Sequence, residues 1–394
     1  MKGTVLIGQS GGPTAVINAS AAGVIDRVRT VSPDTPILGM NFAIEGFMEE
    51  KTIDLSALNA VELARLKETP GSALGSCRYK LKDEDLGLIV EKLKKLDIRY
   101  IFLAGGNDTM DTIHRISAYA AQTGFELFGV GIPKTVDNDL FGTDHTPGYG
   151  SAGRYTALSV LQAGQLARDM QRVDRFVIHQ TVGREAGWLA ASSALAKRNE
   201  GDAPHLIYLP ERPITAERLL ADVRETVDRY GFCSIVCGEG VLWEDGSPVS
   251  AGTGTDKFAN TEFGAMGGGS AALSLHGLIR KATGYRGEFQ ITESLPMCAD
   301  DRVGPSDREE AFRCGEEAVN LAVAGVNGVM VSMQRAAGPD YRIEYGPVPL
   351  HDVAVRAKPM PDEYISSSGN NVTEAFLNYA RPLIGDMPQY QRLF

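Results

Sequence analysis

The sequence predicts an α/β protein of two doubly wound domains, and three observations carry that expectation. Apolar runs of strand length recur along the chain, each leading into a glycine-bearing turn and then a helical pattern. The 394 residues suffice for two domains of ordinary size, and 43% of them are apolar, ample for packed cores. Parallel strands buried on both faces read as continuous apolar runs, and open α/β sheets bind ligands at their strands' carboxyl ends. Functional residues are therefore expected directly after such runs.

Composition narrows the function classes. With 39 basic residues against 50 acidic ones, the net charge of -11 argues against a general nucleic-acid or anionic-membrane binder. An anionic substrate must be met by a few concentrated basic groups. Met1-Lys2-Gly3 leads straight into a short strand, and no apolar run nears bilayer-spanning length, so the expectation is a cytoplasmic protein with no membrane partner. The five cysteines, Cys77, Cys233, Cys237, Cys298 and Cys314, are an odd, scattered set that fits reduced thiols. Cys233 and Cys237 fall in an apolar run without a partner pair at zinc spacing, so they read as core thiols.

Taken in order, Thr4 to Gly8 is a short apolar strand, Gly11-Gly12-Pro13-Thr14 a turn, and Ala15 to Val28 a helical pattern. This order presents backbone N–H groups to a phosphate at a helix N-terminus, although a tight βα turn explains the glycines equally well. After Glu45-Gly46-Phe47 and a polar helical stretch comes the small-residue loop Gly71 to Arg78, whose arginine can lean over a ligand or lie solvated. The helix Asp83 to Leu96 precedes the strand Tyr100 to Ala104, which ends in Gly105-Gly106-Asn107-Asp108-Thr109 and a helix to about Ala121. Asp108 or Thr109 could act as its N-cap, which leaves the clustered glycines and amide unexplained.

The apolar run Leu127 to Ile132 then delivers Pro133-Lys134-Thr135-Val136-Asp137-Asn138-Asp139 to a strand end. Asp137 suits a proton acceptor and Asp139 a metal ligand, while Lys134 supplies a compact charge for a phosphate. A polar turn accounts for a lone D-x-D as well. The punctuated crossing Thr143 to Gly150 suggests a domain boundary near residue 150. Beyond it the pattern repeats: a helix from Ala152 to Met170, a strand from Arg175 to Thr181 ending in Val182-Gly183-Arg184, and a helix from Ala186 to Lys197. Next come a strand from His205 to Leu209, a helix from Ala216 to Tyr230 capped by Thr215, and a strand from Ser234 to Cys237 ending in Gly238-Glu239-Gly240. Glu244 to Gly269 is glycine-rich and expected to be irregular. A helix from Ser270 to Ala282 precedes Gly284-Tyr285-Arg286, and Asp307 to Ala324 is a further helix before the strand Gly328 to Met333. The tail has helical pattern from Thr373 to Tyr379.

Assembled in this order, the glycine pairs, the charged heptad, Gly183-Arg184 and Gly238-Glu239-Gly240 resemble the phosphofructokinases over nearly the whole chain, most narrowly the pyrophosphate-dependent ones. The resemblance implies two doubly wound α/β domains of phosphofructokinase type with the active site in the cleft between them. Residues 1–150, with a return segment at about 293–345, would hold the phosphoryl donor and Mg2+, residues 151–292 the sugar phosphate, and residues 346–394 would pack on the body. It implies Asp137 as the base for the sugar's 1-hydroxyl, with Thr135 and Val136 beside it on the substrate. Gly12 and Arg78 would bind the donor, and Asn107 and Asp139 the metal. Val182, Gly183, Arg184 and Glu239 would line the sugar site, with valine where the family usually has methionine. Tyr285, Arg175 and Arg286 would contact substrate, the two arginines reaching a neighbouring subunit's site, so a homodimer or homotetramer is expected.

Donor choice rests on Asp108 and Lys134, where ATP-dependent relatives typically have glycine. A carboxylate about 4 Å from a nucleotide's α-phosphate costs roughly 4 kcal/mol at an effective dielectric near 20, which favours pyrophosphate over ATP. Lys134 would offset charge on the transferring phosphate. The implied reaction is pyrophosphate plus fructose 6-phosphate giving phosphate plus fructose 1,6-bisphosphate. The rivals are an ATP-dependent kinase on the same scaffold and a silent sugar-phosphate sensor. Two positions depart from the family: Asn107 stands where aspartate is common, and Gln290 to Leu295 lacks the usual Gln-Arg pair.

Overall fold

The computed structural model describes residues 1–250, 254–255, 261–262, 269–338, 340–354, 356–391 and 393. The chain divides into two compact units, one of residues 1–149 and 297–358, the other of residues 150–296 and 359–394.

The first unit is built on β1 (Thr4–Gln9), α1 (Ile17–Val31), β2 (Ile37–Met40), α2 (Ala43–Met48), β3 (Thr52–Asp54), α3 (Ala60–Glu68), α4 (Asp85–Lys95), β4 (Ile98–Gly105), α5 (Asn107–Gln122) and β5 (Phe128–Pro133). The second unit carries α6 (Tyr149–Asp169), β6 (Phe176–Thr181), α7 (Trp188–Ser192), β7 (Leu206–Tyr208), α8 (Ala216–Tyr230), β8 (Cys233–Gly238), β9 (Gly254–Thr255), β10 (Thr261–Glu262), α9 (Ala271–Thr283) and β11 (Gly287–Ile291). The chain then returns to the first unit as α10 (Asp307–Val323), β12 (Val329–Arg335), β13 (Ile343–Pro349) and α11 (Leu350–Ala354), and α12 (Glu374–Ile384) belongs to the second.

The first unit's seven-stranded sheet runs β13-β12-β5-β4-β1-β2-β3, parallel except for β13 and β3 at its two edges. Its central strands are buried on both faces, each against its own apolar cluster. On one face α1 and α10 meet through glycines: a Cβ on Gly23 would overlap the Phe312 carbonyl, and one on Gly315 the Ser20 carbonyl. The second unit's four-stranded sheet, β11-β6-β8-β7, is parallel throughout. α8 presents Leu219, Val223, Thr226 and Val227 to it, is capped by Thr215 Oγ1 on the Arg218 N–H at 3.1 Å, and stops at left-handed Gly231. Trp188, Tyr364, Phe376 and Tyr379 form an aromatic cluster under α12.

Several local expectations change. The cap of α5 is Gly106, with no side-chain bond from Asp108 or Thr109, so those residues are left for other work. The helix expected from Ala186 to Lys197 is one short α-helical stretch followed by a 3-10 turn at Ser193–Ala196. Much of Glu244 to Gly269 lies outside the described residues; within it β9 and β10 pair antiparallel. The short strands β2 and β3, and β13 with its glycine and two prolines, have no clear period in the sequence. Edge placement is what tolerates proline in β13. Cys233 and Cys237 are fully buried thiols in β8, and burial pushes Cys237 up to about 12.

Candidate active site

In the first unit three turns converge at the carboxyl ends of β1, β4 and β5. The Gly11 N–H donates to the Cys77 carbonyl at 3.0 Å, the Gly71 N–H to the Thr14 carbonyl at 3.0 Å, and Ser76 Oγ to the Gly11 carbonyl at 2.6 Å. These bonds fasten the loop that ends in Arg78 onto the glycine turn after β1. Gly11 itself has a φ of +77°, a left-handed conformation that favours glycine.

Lys134 sits immediately beyond β5 and is almost fully buried, its Nζ donating to the Gly12 carbonyl at 2.6 Å. Burial lowers its pKa to about 8; the Asp137 and Asp139 carboxylates work against that shift and the Arg78 guanidinium with it. Lys134 therefore lies in the field of all three. The Lys134 N–H bonds the Gly105 carbonyl at 3.2 Å, joining the heptad to the turn after β4.

The heptad is shaped from within and from both sides. The Asp137 N–H donates to Thr135 Oγ1 at 3.0 Å, and Thr146 Oγ1 donates to the Thr135 carbonyl at 2.8 Å. Asn138 is buried at φ +58°, so the backbone reverses between Asp137 and Asp139, both half-buried. Val136 is buried beneath the loop. Asp108 stands exposed on the first turn of α5, and Arg78 is exposed too. Asn107 Nδ2 donates at 2.9 Å to the carbonyls of both Val353 and Arg356. Two carbonyl partners fix the orientation of that amide, leaving Oδ1 as the atom a cation can use.

Sequence reasoning missed Lys358. This half-buried lysine reaches the loop 138–144 from the far end of the chain, and burial of its ammonium lowers its pKa to about 8. No local pattern marks it. It also missed the buried group in which His145 lies between Asp144 and Glu310, each 2.8 Å from a ring nitrogen, with Tyr341 on Glu310 at 2.5 Å.

In the second unit the segments after β6 and β8 face each other. The Gly183 N–H donates to Glu239 Oε1 at 3.4 Å, the Gly240 N–H to the Gly183 carbonyl at 3.3 Å, and the Glu239 N–H to the Thr181 carbonyl at 2.9 Å. Val182, Gly183, Arg184 and Glu239 are thus neighbours, with Arg184 exposed and Glu239 buried. Gly240 admits no side chain, because a Cβ there would overlap the Arg184 backbone. Arg175, Tyr285 and Arg286 form a separate group at the opposite, amino-terminal ends of β6 and β11. The Arg175 N–H bonds the Arg286 carbonyl at 2.7 Å, its guanidinium lies 5.7 Å from the Tyr285 ring centroid, and Arg286 pairs with Asp174 at 2.9 Å. β6 separates the two groups by six residues, about 20 Å at roughly 3.3 Å per residue.

Among the described residues no group of three or more His, Cys, Asp or Glu side chains is placed to hold a metal. A single carboxylate such as Asp139 is enough for Mg2+, which takes one or two carboxylates and completes its shell with water and substrate phosphates. No described helix is long and apolar enough to cross a membrane.

Glycine turns, a buried lysine and paired carboxylates at the ends of parallel strands are the parts of a phosphotransferase. The chain belongs to the phosphofructokinase family, which it matches over residues 4–321. It is 39% identical to the pyrophosphate–fructose 6-phosphate 1-phosphotransferase of Xanthomonas campestris pv. campestris, with 98% of this chain and 93% of that protein covered. The enzyme of the same name from Halomonas elongata is 37% identical, covering 97% and 92%. The crystal structure of pyrophosphate-dependent phosphofructokinase from Marinobacter aquaeolei superposes with a TM-score of 0.87 at 33% identity, covering 98% of this chain and 94% of that one.

Proposed function

We propose that this enzyme transfers a phosphoryl group from pyrophosphate to the 1-hydroxyl of fructose 6-phosphate, reversibly giving fructose 1,6-bisphosphate and phosphate. The observation that carries the donor assignment is Lys134: a buried ammonium bonded to the Gly12 carbonyl, in the field of Arg78 and of the Asp137 and Asp139 carboxylates. Such a site rewards a compact anion brought close to a proton acceptor. Asp137 takes the hydroxyl proton as the sugar oxygen bonds to phosphorus; the bond from that phosphorus to the bridging oxygen breaks, and phosphate leaves. Thr135 and the left-handed Asn138 hold that carboxylate's backbone in place. Lys134 and Arg78 offset charge on the donor, and Asp108 repels the extra phosphate of a nucleotide.

Asp139, with Asn107 Oδ1, would hold Mg2+, which when bound neutralises donor oxygens. Val182, Gly183, Arg184 and Glu239 would bind the sugar. Arg175, Tyr285 and Arg286 would bind the 6-phosphate of a second copy's substrate. The separation along β6 supports that reading, as does Arg175 Nε, which is buried with no hydrogen-bond partner among the described residues.

A coupled assay with pyrophosphate or ATP as donor, with and without magnesium, tests the assignment. Magnesium-dependent turnover at least a hundredfold faster with pyrophosphate is expected. Comparable or faster turnover with ATP would overturn it.

A further inference from the structure

Lys358 takes no part in the chemistry just described, yet its surroundings are those of the catalytic loop. Its Nζ donates to the Asp144 carbonyl at 2.7 Å, the Thr143 carbonyl at 3.2 Å and Asn138 Oδ1 at 3.3 Å. Its backbone N–H donates to the Asp139 carbonyl at 2.7 Å, and Ala357 bridges to Leu140 antiparallel beside it. One residue thus grips both ends of the stretch from Asn138 to Asp144.

We infer that Lys358 is a positioning residue for the phosphoryl transfer, its ammonium fixing the reversed backbone at Asn138 and so the direction in which Asp137 points. The inference rests on Asp137 being the base. The physical case begins with cost: an ammonium drawn from water into the protein carries a desolvation penalty. What it gains is three oxygen acceptors, all on the loop that carries Asp137 and Asp139. Asn138 must keep a left-handed φ that few residues adopt, and its side chain is where the ammonium takes hold. A carboxylate misdirected by a fraction of an ångström loses much of its advantage as a base. The segment that delivers the lysine lies more than two hundred residues from the loop, with separations of 214, 215 and 220 residues for the three bonds.

The test compares Lys358→Met, Lys358→Arg and Asp137→Asn with the unaltered enzyme, each purified at full length and normalised to folded protein by its thermal melt. Lys358→Met is expected to lower kcat at least tenfold while KM for pyrophosphate and for fructose 6-phosphate each change less than threefold. Lys358→Arg, which keeps a cationic donor, should recover part of that loss. A purely structural lysine would lower the melting temperature and leave kcat of the folded fraction alone, and that result overturns the inference. If Lys358→Met does not fold, Asn138→Gly decides, since glycine accepts the left-handed backbone and the change removes the side-chain oxygen that Lys358 holds. A threefold or larger fall in kcat then supports the inference, and unchanged kcat overturns it. Turnover retained in Asp137→Asn would instead remove the assignment of the base, whereas a dead Asp137→Asn beside a fully active Lys358→Met would remove only the role of the lysine.

Discussion

At the scale of single residues, the buried lysine of the proposed donor site should set the pH behaviour. Burial brings Lys134 to about 8, so above that pH the free enzyme loses the charge proposed to meet pyrophosphate. The expected outcome is that kcat/KM for pyrophosphate falls tenfold per pH unit on the alkaline side, and that Lys134→Arg shifts the limb upward, as read from initial rates across pH. Stability should move the other way. With native pKa values below the ordinary 10.5, the unfolded chain binds more protons between about 8 and 10.5, so the cost of burying Lys134 and Lys358 shrinks as pH rises through that window. The loss of activity is therefore not unfolding. Lys134, Asp137 and Asp139 are legible in the sequence because they share one heptad behind one apolar run. Lys358 is not, because what makes it important is a contact with a segment two hundred residues earlier.

Helices and strands show the same division. α8 follows from local chemistry alone: an amphipathic period, a threonine cap and a terminal glycine. α10 is equally plain as a helix, but its partner is not. Gly315 reads as a weak spot in a helix and is in fact where α10 lies against α1. Gly315→Ala should therefore destabilise the protein by about 1–3 kcal/mol through overpacking, where an exposed helix glycine would gain stability from the same change. Denaturant unfolding distinguishes the two. The His145 group ties α10 to the loop before α6. Burial alone would lower the pKa of His145, but hydrogen bonds to Asp144 and Glu310 outweigh it and raise the value above 6.5. For the two carboxylates burial would raise the values, and the same bonds hold them below 3.8 and 4.5. The histidine's contribution is complete below its unfolded value and is lost as pH rises through the higher folded one; the carboxylates' contribution is lost as pH falls through their depressed values. Thermal melts of His145→Gln should show their largest deficit between about pH 4.5 and 6.5, with the gap to the unaltered protein narrowing toward pH 9.

For the whole molecule, the decisive feature is that the two groups of candidate sugar-site residues lie at opposite strand ends of one sheet. If Arg175 and Arg286 serve a second copy, Asp137→Asn and Arg175→Ala enzymes, each nearly inactive, should regain activity when unfolded together and refolded, because mixed assemblies contain one intact site. Activity no greater than the sum of the two separate preparations would show that each chain works alone. By itself the sequence determined the α/β class, most of the strand and helix order, the strand-end turns and the charged heptad, since each is written in a few consecutive residues whose period and punctuation act locally. Tertiary structure alone decided that Lys134 closes on Gly12, that α1 and α10 meet through glycines, that a lysine from the far end of the chain holds the loop 138–144, and that the arginines lie a strand's length from Glu239. Those outcomes depend on which distant segments pack together, and packing couples residues whose separation along the chain leaves no local trace.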